Sequence, residues 1–434
     1  MISALIIAAI VVSIAIGYIF KINIGLLAIS FAYIIGTFIL DLKPSQIVAL
    51  WPLKLFFVIM AVSLFYNFAT VNGTLEKLAD NLIYRSKNYP YLLTFAVFVA
   101  STLIAAMGAG FYSVLAFMAP LTLFLCDKTG MSKIAGAMAI NYGALGGANF
   151  MTSQSGVIFR GLIEGTGHYD AAQAFSFSTV IFIATIVVPI IVLSGFVFSN
   201  KRSGRISLDS DMPKPEPMNS KQQITVILIG LLLAIVLAGP ILRIAFPESE
   251  SIAYFNSRID IGFLAAIFTV ISLFLKLADE KKVIALVPWS TLILIGGVGL
   301  LIGVAVKAGT IDLLAHSIST GVPKAVLPVA LCLIAAFMSV FSSTLGVVTP
   351  TLFPIVPALA QAAGLSPALL FASIVVGSQS TAISPFSSGG SLIMGACKSD
   401  EERDNMLKGL LFRAIPIGLA MAVLATVFMH YIIY

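Results

Sequence analysis

The sequence predicts an all-α polytopic membrane protein built from two inverted-topology repeats, each with about five transmembrane helices and one re-entrant hairpin, and with broken helices at the midplane. Three observations predict this fold. The composition is strongly apolar, the two halves share a run of matching residues, and the apolar segments of both halves are interrupted at matching places.

The composition places most of the chain in lipid. Of its 434 residues, 59% are hydrophobic and 10% are charged, whereas soluble proteins are about 25% charged. The net charge of +6 is assigned to cytoplasmic loops, so no nucleic-acid partner is expected. Cys126, Cys332 and Cys397 and the three histidines are too scattered for a transition-metal site, a redox motif or a catalytic triad. We therefore expect no enzyme and no cofactor beyond a coupling ion.

The repeat is carried by glycines and prolines that recur in one frame. Residues 49–79 match 285–315 at an offset of 236, and a deletion of two residues changes the offset to 234. The matching pairs at 234 include Pro120 and Pro354, Gly130 and Gly364, Ser132 and Ser366, Gly143 and Gly377, and Gly156 and Gly390. Such duplication predicts a secondary transporter whose binding site lies in the interruptions.

Apolar stretches of about 20 residues define the predicted spans. In chain order these are 3–20, 24–41, 53–71, 134–165, 172–199, 224–243, 258–277, 289–306, 367–396 and 408–432. Five spans per half require the halves to face opposite ways. With the N-terminus outside, the cytoplasmic loops carry 17 basic residues against 7 outside, which fits the positive-inside rule. The first span is taken as a retained helix. The expected location is the cell inner membrane, with both termini periplasmic.

Two further apolar blocks, 91–126 and 325–363, are predicted to be the re-entrant hairpins, because small or polar residues break each near its middle. The domain prediction is a first repeat at 1–199, a cytoplasmic linker at 200–223 and a second repeat at 224–434. Segments 73–88 and 309–322 are interpreted as amphipathic helices in the interface, with simple loops as the alternative.

Neutral polar residues replace charge in the predicted core. No charged residue occurs in 90–126, 134–159 or 325–396, and a charge at mid-bilayer costs at least about 3 kcal/mol. An unwound span offers helix N-termini to a carboxylate and free carbonyl oxygens to a cation such as sodium. The candidate substrate-binding residues are Asn149, Thr152, Ser153, Gln154, Ser343, Thr344, Ser378, Gln379, Ser380 and Thr381. The candidate cation-binding residues are Gly108, Gly110, Ser113, Gly143, Ser342, Gly346, Gly377 and Ser384.

The alternative for these residues is that glycine and serine merely let helices pack closely. Two symmetry-related runs of small and polar residues, 141–156 and 377–390, each follow a hairpin block and favour a binding site. Proton-coupled carriers usually keep an acidic residue or a histidine in the pathway, so sodium coupling is favoured, although a proton could travel on the substrate. Arg160 lies just beyond the first run and could assist an anion or reach the outer interface.

Three stretches carry a family resemblance: residues 21–28 (KINIGLLA), 36–38 (GTF) and 71–79 (VNGTLEKLA). They resemble the N-terminal half of the malonate/dicarboxylate carriers (MatC-like), within the ion transporter superfamily that includes divalent anion:sodium symporters. In the sodium-coupled members a Ser-Asn-Thr at each hairpin tip holds substrate and sodium. Ser342-Ser343-Thr344 matches this in part, and Gly108-Ala109-Gly110 departs from it.

The resemblance implies a homodimer that works as an elevator. Its mobile part would be about 89–199 and 323–434, and its scaffold about 1–88 and 224–322. The sequence therefore predicts a cation-coupled carrier of C3–C4 dicarboxylates such as malonate or succinate. A sulfonate, a monocarboxylate or an inorganic oxyanion remains open as substrate, as does proton coupling. A channel, an intramembrane enzyme and an exporter with an ATPase partner are the other classes considered.

Overall fold

The computed structural model describes residues 2–20, 22–85, 92–108, 110–203, 215–246, 249–311, 313, 321–397 and 399–433, and within these ranges it contains helices and loops but no strand. The helices of the first half are α1 (Ile2–Phe20), α2 (Ile24–Phe38), α3 (Pro44–Val48), α4 (Leu53–Val71), α5 (Thr74–Arg85), α6 (Leu93–Ala106), α7 (Phe111–Thr129), α8 (Lys133–Ala148), α9 (Gln154–Gly165) and α10 (Ala171–Ser203).

The second half begins after the linker. Its helices are α11 (Ser220–Ala245), α12 (Glu250–Arg258), α13 (Ile261–Phe274), α14 (Glu280–Ala285), α15 (Trp289–Lys307), α16 (Leu327–Phe341), α17 (Thr349–Leu352), α18 (Val356–Ala363), α19 (Pro367–Ser380), α20 (Ser388–Gly395), α21 (Asp400–Gly409) and α22 (Ile415–Ile433). π-Helical turns occupy Thr344–Val348 and Leu410–Ala414, and a 3₁₀ turn occupies Phe353–Ile355.

Each of the ten predicted spans falls on these helices. The predicted unwinding is confirmed, because α8 and α9 are separate helices, as are α19 and α20. Four stretches are long and apolar enough to cross a membrane: Ala171–Phe198, Glu280–Lys307, Thr344–Ala363 and Asp400–Ile432. The other apolar stretches in the described part, such as Ile2–Gly17 and Phe56–Val71, have 10–17 residues. One of the four, Thr344–Ala363, comes from a block predicted as a hairpin rather than from a predicted span.

Helix ends follow local sequence signals. The Asn23 side chain accepts a hydrogen bond from the N–H of Gly25 (2.9 Å) at the start of α2, and Asp260 accepts one from Phe263 (3.0 Å) at the start of α13. These side chains satisfy N–H groups that have no acceptor within the helix. Gly130 and Gly364 end α7 and α18 in the left-handed conformation, with φ of 74° and 65°. The two glycines are a repeat pair, so the same terminator acts in both halves.

The helix boundaries recur at the offset of 234 found in the sequence. Thr129 and Ala363 end α7 and α18, Lys133 and Pro367 begin α8 and α19, and Gln154 and Ser388 begin α9 and α20. At these three boundaries, equivalent helices of the two halves begin or end at equivalent residues.

The packing of these helices recurs as well. A Cβ on Gly143 would lie 2.6 Å from the carbonyl oxygen of Phe98, and one on Gly377 would collide with that of Cys332. Gly377 and Cys332 are the repeat equivalents of Gly143 and Phe98. The crossing of α8 on α6 thus has its counterpart in the crossing of α19 on α16.

Contacts divide the chain into two compact units that interleave segments of both halves. One unit comprises Met1–Phe56, Ile158–Val188 and Trp289–Tyr434, and the other comprises Phe57–Val157 and Pro189–Pro288. In the first unit, α2 lies against α15: Gly25 contacts the backbone of Ile293, and the Asn23 amide donates to the carbonyl oxygen of Ser290 (2.8 Å). Early helices of the first half therefore pack on a later helix of the second half.

The second unit contains the reciprocal pair. A Cβ on Gly262 of α13 would lie 3.1 Å from the side chains of Phe57 and Val58 of α4. The rings of Phe57 and Phe263 also pack, with centroids 4.8 Å apart. Phe57 is the repeat equivalent of Ile293, so α13 meets α4 at the position where α2 meets α15.

Aromatic rings fill the centre of the first unit. Phe353 lies 4.7 Å from Phe371 and 5.9 Å from Phe159, measured between ring centroids. All three side chains are fully buried. Burying an aromatic ring contributes about 1.5–3 kcal/mol where the alternative is water. In lipid the gain comes from close packing, which fixes the second apolar block against the broken span that follows it.

The predicted connecting segments are partly described. α10 continues to Ser203 and α11 begins at Ser220, so both helices extend into the predicted linker 200–223. Residues 204–214 lie outside the described part, as do 86–88, 312 and 314–320 of the predicted interface segments. Segment 73–88 forms α5 over Thr74–Arg85, in agreement with the favoured helical interpretation. Burial raises the pKa of the Asp80 carboxyl there, and Lys77 opposes the rise.

Candidate functional site

The first predicted hairpin tip separates α6 from α7 and contains two glycines. Gly108 has φ of +95°, a left-handed conformation that favours glycine. The ring of Tyr66, from α4, occupies the place where a Cβ on Gly108 would be. Gly110 precedes α7 and offers no side chain to its first N–H groups. The two described residues of this predicted hairpin tip, Gly108 and Gly110, therefore offer only backbone, and Gly108 packs against an aromatic ring.

The break between α8 and α9 lies against this tip. The Ser153 hydroxyl donates to the carbonyl oxygen of Ala105 in the last turn of α6 (2.6 Å). The Gln154 amide oxygen lies 2.5 Å from the place of a Cβ on Gly110. Thr152 and Asn149 are completely buried in the same break. The structure thus brings Gln154, a predicted substrate-binding residue of the α8–α9 break, beside Gly110, a predicted cation-binding residue.

Two other predicted cation-binding residues of the first half, Gly143 and Ser113, lie within helices. Gly143 lies five residues before the end of α8, which is about 7 Å along the helix axis. It contacts the backbone of α6, so its visible role is helix packing. Ser113 lies in the first turn of α7. Gly377 repeats the packing role of Gly143, since it contacts the backbone of Cys332 in α16.

The second predicted hairpin tip carries hydroxyl groups instead of glycines. Ser342 is extended, and its hydroxyl donates to the carbonyl oxygen of Met338 (2.6 Å). The Ser343 hydroxyl accepts from the N–H of Gly346 (3.2 Å) and so caps the π-helical turn. The Thr344 and Ser339 hydroxyls lie 3.4 Å apart. Gly346 packs on the Leu294 side chain of α15.

The predicted substrate residues at the end of α19 are buried and hydrogen-bonded. Ser378 donates to the carbonyl oxygen of Val375 (3.0 Å), and Ser380 donates to that of Gly377 (2.6 Å). Thr381 donates to the carbonyl oxygen of Ala336 in α16 (2.7 Å). Gln379 is 4% exposed. The Thr381 bond holds this break against α16 as the Ser153 bond holds the α8–α9 break against α6.

The loop from Thr381 to Ser387 closes the second break. The Ser384 hydroxyl accepts from the N–H of Phe386 (3.2 Å), and Ser387 donates to the carbonyl oxygen of Ala382 (2.6 Å). Gly390 contacts the carbonyl oxygen of Ser384, as Gly156 contacts that of Phe150 in the first break. The two contacts join equivalent residues of the repeat, so the two breaks share one backbone arrangement.

The electrostatics of both breaks come from neutral groups. The described parts of 92–126, 134–159 and 325–396 contain no charged side chain. Within the described residues no cluster of three or more metal-binding side chains occurs. Helix N-termini carry a partial positive charge and hydroxyl groups can donate or accept, so this chemistry suits an anion at the helix ends and a hard cation among oxygens.

The sequence reasoning missed two buried polar groups in the unit that holds the first break. The Tyr66 hydroxyl, 1% exposed, and both side-chain amide atoms of Asn141 have no hydrogen-bond partner among the residues that the structure describes. A tyrosine in an apolar span usually has a partner for its hydroxyl when buried, and that was the available signal. Asn141 stood in the polar run but was not assigned a role.

Comparison with known proteins gives a family and a fold. The family model of the dicarboxylate carrier protein MatC N-terminus matches residues 1–148 and 241–382. The two stretches end at equivalent positions of the repeat, since 148 and 382 differ by its offset. No curated protein sequence matches the chain at a significant level.

The crystal structure of the Alcanivorax borkumensis YdaH transporter, described as having an unusual topology, is similar with a TM-score of 0.59. It is 18% identical in sequence, and the match covers 86% of this chain and 85% of that one. At this identity the likeness concerns the fold alone.

Proposed function

Since the chain belongs to the MatC dicarboxylate carrier family, which its match over most of its length shows, we propose that this integral membrane protein is a secondary active carrier of small organic anions, with C3–C4 dicarboxylates such as malonate or succinate as substrates. The main support for the proposal is that the family match and the helix breaks coincide in the chain. Both matched stretches end beside a helix break lined by neutral hydroxyl groups.

In this proposal the two halves are inverted repeats and blocks 91–126 and 325–363 are re-entrant hairpins. The recurrence of the helix ends and of the glycine contacts at one offset supports the repeats. Helix termini at the breaks supply N–H groups for a carboxylate and carbonyl oxygens for a cation, as in other carriers with discontinuous helices. The absence of acidic side chains from the described parts of both blocks favours sodium over protons.

Uptake into proteoliposomes tests the function. The purified chain is reconstituted, and labelled succinate and malonate are supplied under separately imposed sodium and proton gradients. We expect uptake that requires an inward sodium gradient, because neutral oxygens suit a hard cation. Uptake driven only by a proton gradient would support the carrier function but reject sodium coupling. Uptake of sulfonates, monocarboxylates or oxyanions alone would reject the dicarboxylate substrate.

Ser380→Ala should raise the KM for the transported anion about 10- to 100-fold with little change in stability, because one hydroxyl contact to a charged group contributes about 1.5–3 kcal/mol. Ser343→Ala should act in the same direction and also weaken the cap of the π-helical turn. Proteoliposome uptake and thermal unfolding measure both effects.

Ser373 provides a matched control. It is a buried serine of the same helix, and its hydroxyl donates to the carbonyl oxygen of Leu369 (2.6 Å), as that of Ser380 does to Gly377. Ser373→Ala should leave KM unchanged, since it lies two turns before the break. Equal KM values for both variants and the parent would contradict a substrate role for Ser380.

The proposed mechanism is an elevator in a homodimer, in which 89–199 and 323–434 slide against 1–88 and 224–322. The strong helix pairs support this division, because α2 packs on α15 within the scaffold and α16 packs on α19 within the mobile part. Lys54 and Glu164 form an ion pair across the proposed boundary, with 2.6 Å between Nζ and Oε2. Sliding would have to break it.

Cross-linking Lys54→Cys to Glu164→Cys with a short bifunctional maleimide should therefore stop uptake. The native cysteines, Cys126, Cys332 and Cys397, are buried and form no disulfide, so they interfere little. A cross-link between Asn23→Cys and Ser290→Cys, both within the scaffold, is the control and should leave uptake intact. Normal uptake after complete cross-linking of positions 54 and 164 would exclude sliding at this boundary.

A further inference from the structure

Two buried hydroxyl groups between α4 and the α8–α9 break have no hydrogen-bond partner in the described part of the chain beyond one another. Tyr66, on α4, is 1% exposed and Thr152, between α8 and α9, is completely buried. The two hydroxyls face each other, and neither has another partner among the described residues, so the pair keeps at least one O–H without an acceptor. A buried unsatisfied polar group is costly and rare in native proteins, and a bound ligand is one explanation.

A helix N-terminus lies at the same place. The Tyr66 ring covers Gly108, and Gly110 begins α7 without a capping side chain. The first intrahelical hydrogen bond of α7 runs from the N–H of Val114 to the carbonyl oxygen of Gly110 (3.1 Å), so the preceding N–H groups have no acceptor within the helix. These N–H groups and the two hydroxyls are all potential donors.

Donor groups clustered beside the start of a helix favour an anion over a cation. The partial positive charge at the start of α7 repels a cation and attracts a carboxylate. No acidic side chain occurs in the described part of 92–126 to compete for these donors. Tyr66 is not among the predicted site residues, and it lies in the segment 1–88 assigned to the scaffold. In the proposed elevator it would therefore contact the anion in only one of the two positions of the mobile part.

We propose that Tyr66 is a substrate-binding residue whose phenolic hydroxyl donates to one carboxylate of the transported anion, together with Thr152 and the first N–H groups of α7. This inference rests on the proposed function and names a further recognition group for it. The repeat equivalent of Tyr66 is Ile302, so the second half has no matching phenol. The two carboxylates of a dicarboxylate therefore meet different surroundings, and only one is held by a tyrosine.

Tyr66→Phe tests the inference, because it removes the hydroxyl and keeps the ring that covers Gly108. The melting temperature of the ligand-free protein should change little, since the only polar contact removed is the one to the Thr152 hydroxyl. Succinate should raise the melting temperature of the parent protein, and the Phe variant should need about 10- to 100-fold more succinate for the same rise. Tyr33→Phe, on the exposed face of α2, is the control and should bind like the parent.

The same titration is run with malonate, acetate, isethionate and sulfate. Equal titrations for parent and Tyr66→Phe would overturn the inference and leave the proposed function standing. If only isethionate, acetate or sulfate stabilises the parent and the Phe variant loses that effect, the dicarboxylate function fails and the role of Tyr66 stands. A drop in the melting temperature of ligand-free Tyr66→Phe would show a structural hydrogen bond and reject the role. No shift with any anion would reject both proposals.

Discussion

Replacing Gly108 with alanine should abolish uptake and lower the melting temperature more than any other single glycine-to-alanine change in the described chain. Two costs add. A side chain in the left-handed conformation of Gly108 is strained by about 1–2 kcal/mol, and its Cβ would collide with the Tyr66 ring. Overpacking of a buried site costs about 1–3 kcal/mol more. Thermal unfolding and proteoliposome uptake measure the two consequences.

Two other glycines separate these costs. Gly309 also has a left-handed backbone, with φ of 69°, but a Cβ there would meet nothing within 4 Å, so Gly309→Ala should show the backbone cost alone. Gly230 has neither constraint, so Gly230→Ala should be neutral or stabilising. Adding Tyr66→Ala to Gly108→Ala should recover part of the melting temperature but not uptake. A Gly108→Ala protein that behaves like Gly230→Ala would show that the tip is not packed against Tyr66.

The helices and their breaks could be predicted from the sequence because both are local properties. Long apolar runs fold as helices in lipid, and runs of Gly, Ser and Pro such as 377–390 interrupt them. Comparing the two halves also indicated where helices end, since the repeat pair Gly130 and Gly364 ends equivalent helices in the same left-handed conformation. Both signals lie within a few residues of the feature that they predict.

The exchange of partners between the halves could not be predicted in this way. The repeat identifies Phe57 and Ile293 as equivalent residues. It does not show whether α4 packs on a helix of its own half or on a helix of the other half. The close approach of Gly25 to α15 and of Gly262 to α4 decides this. Such contacts connect residues of opposite halves and leave no periodic pattern in either segment.

The candidate site was predictable only in part for a similar reason. Thr152, Ser153 and Gln154 stood in a polar run, and the structure places them beside the first hairpin tip. Tyr66 stood alone in an apolar span, where a tyrosine is usually interpreted as a packing residue. Its position against Gly108 depends on the meeting of α4 with the break between α6 and α7. No pattern within α4 indicates that meeting.

Gly143→Ala and Gly377→Ala should destabilise the protein by similar amounts, about 1–3 kcal/mol each, because each Cβ would press on the carbonyl oxygen of an equivalent residue in the facing helix. Alanine is the better helix former by about 1 kcal/mol. At Gly195, where a Cβ would meet nothing within 4 Å, the same change should therefore raise the melting temperature. The opposite signs distinguish close packing from helix propensity.

The two changes should also add in the double variant, because the crossings share no contact residue. Thermal unfolding of the two single variants, the double variant and Gly195→Ala measures this. A large loss at one glycine and none at the other would mean that the α6–α8 and α16–α19 crossings are not equivalent. Similar losses of stability in the two single variants would show that the repeat extends to helix packing. Both halves would then require the same close backbone approach at equivalent positions.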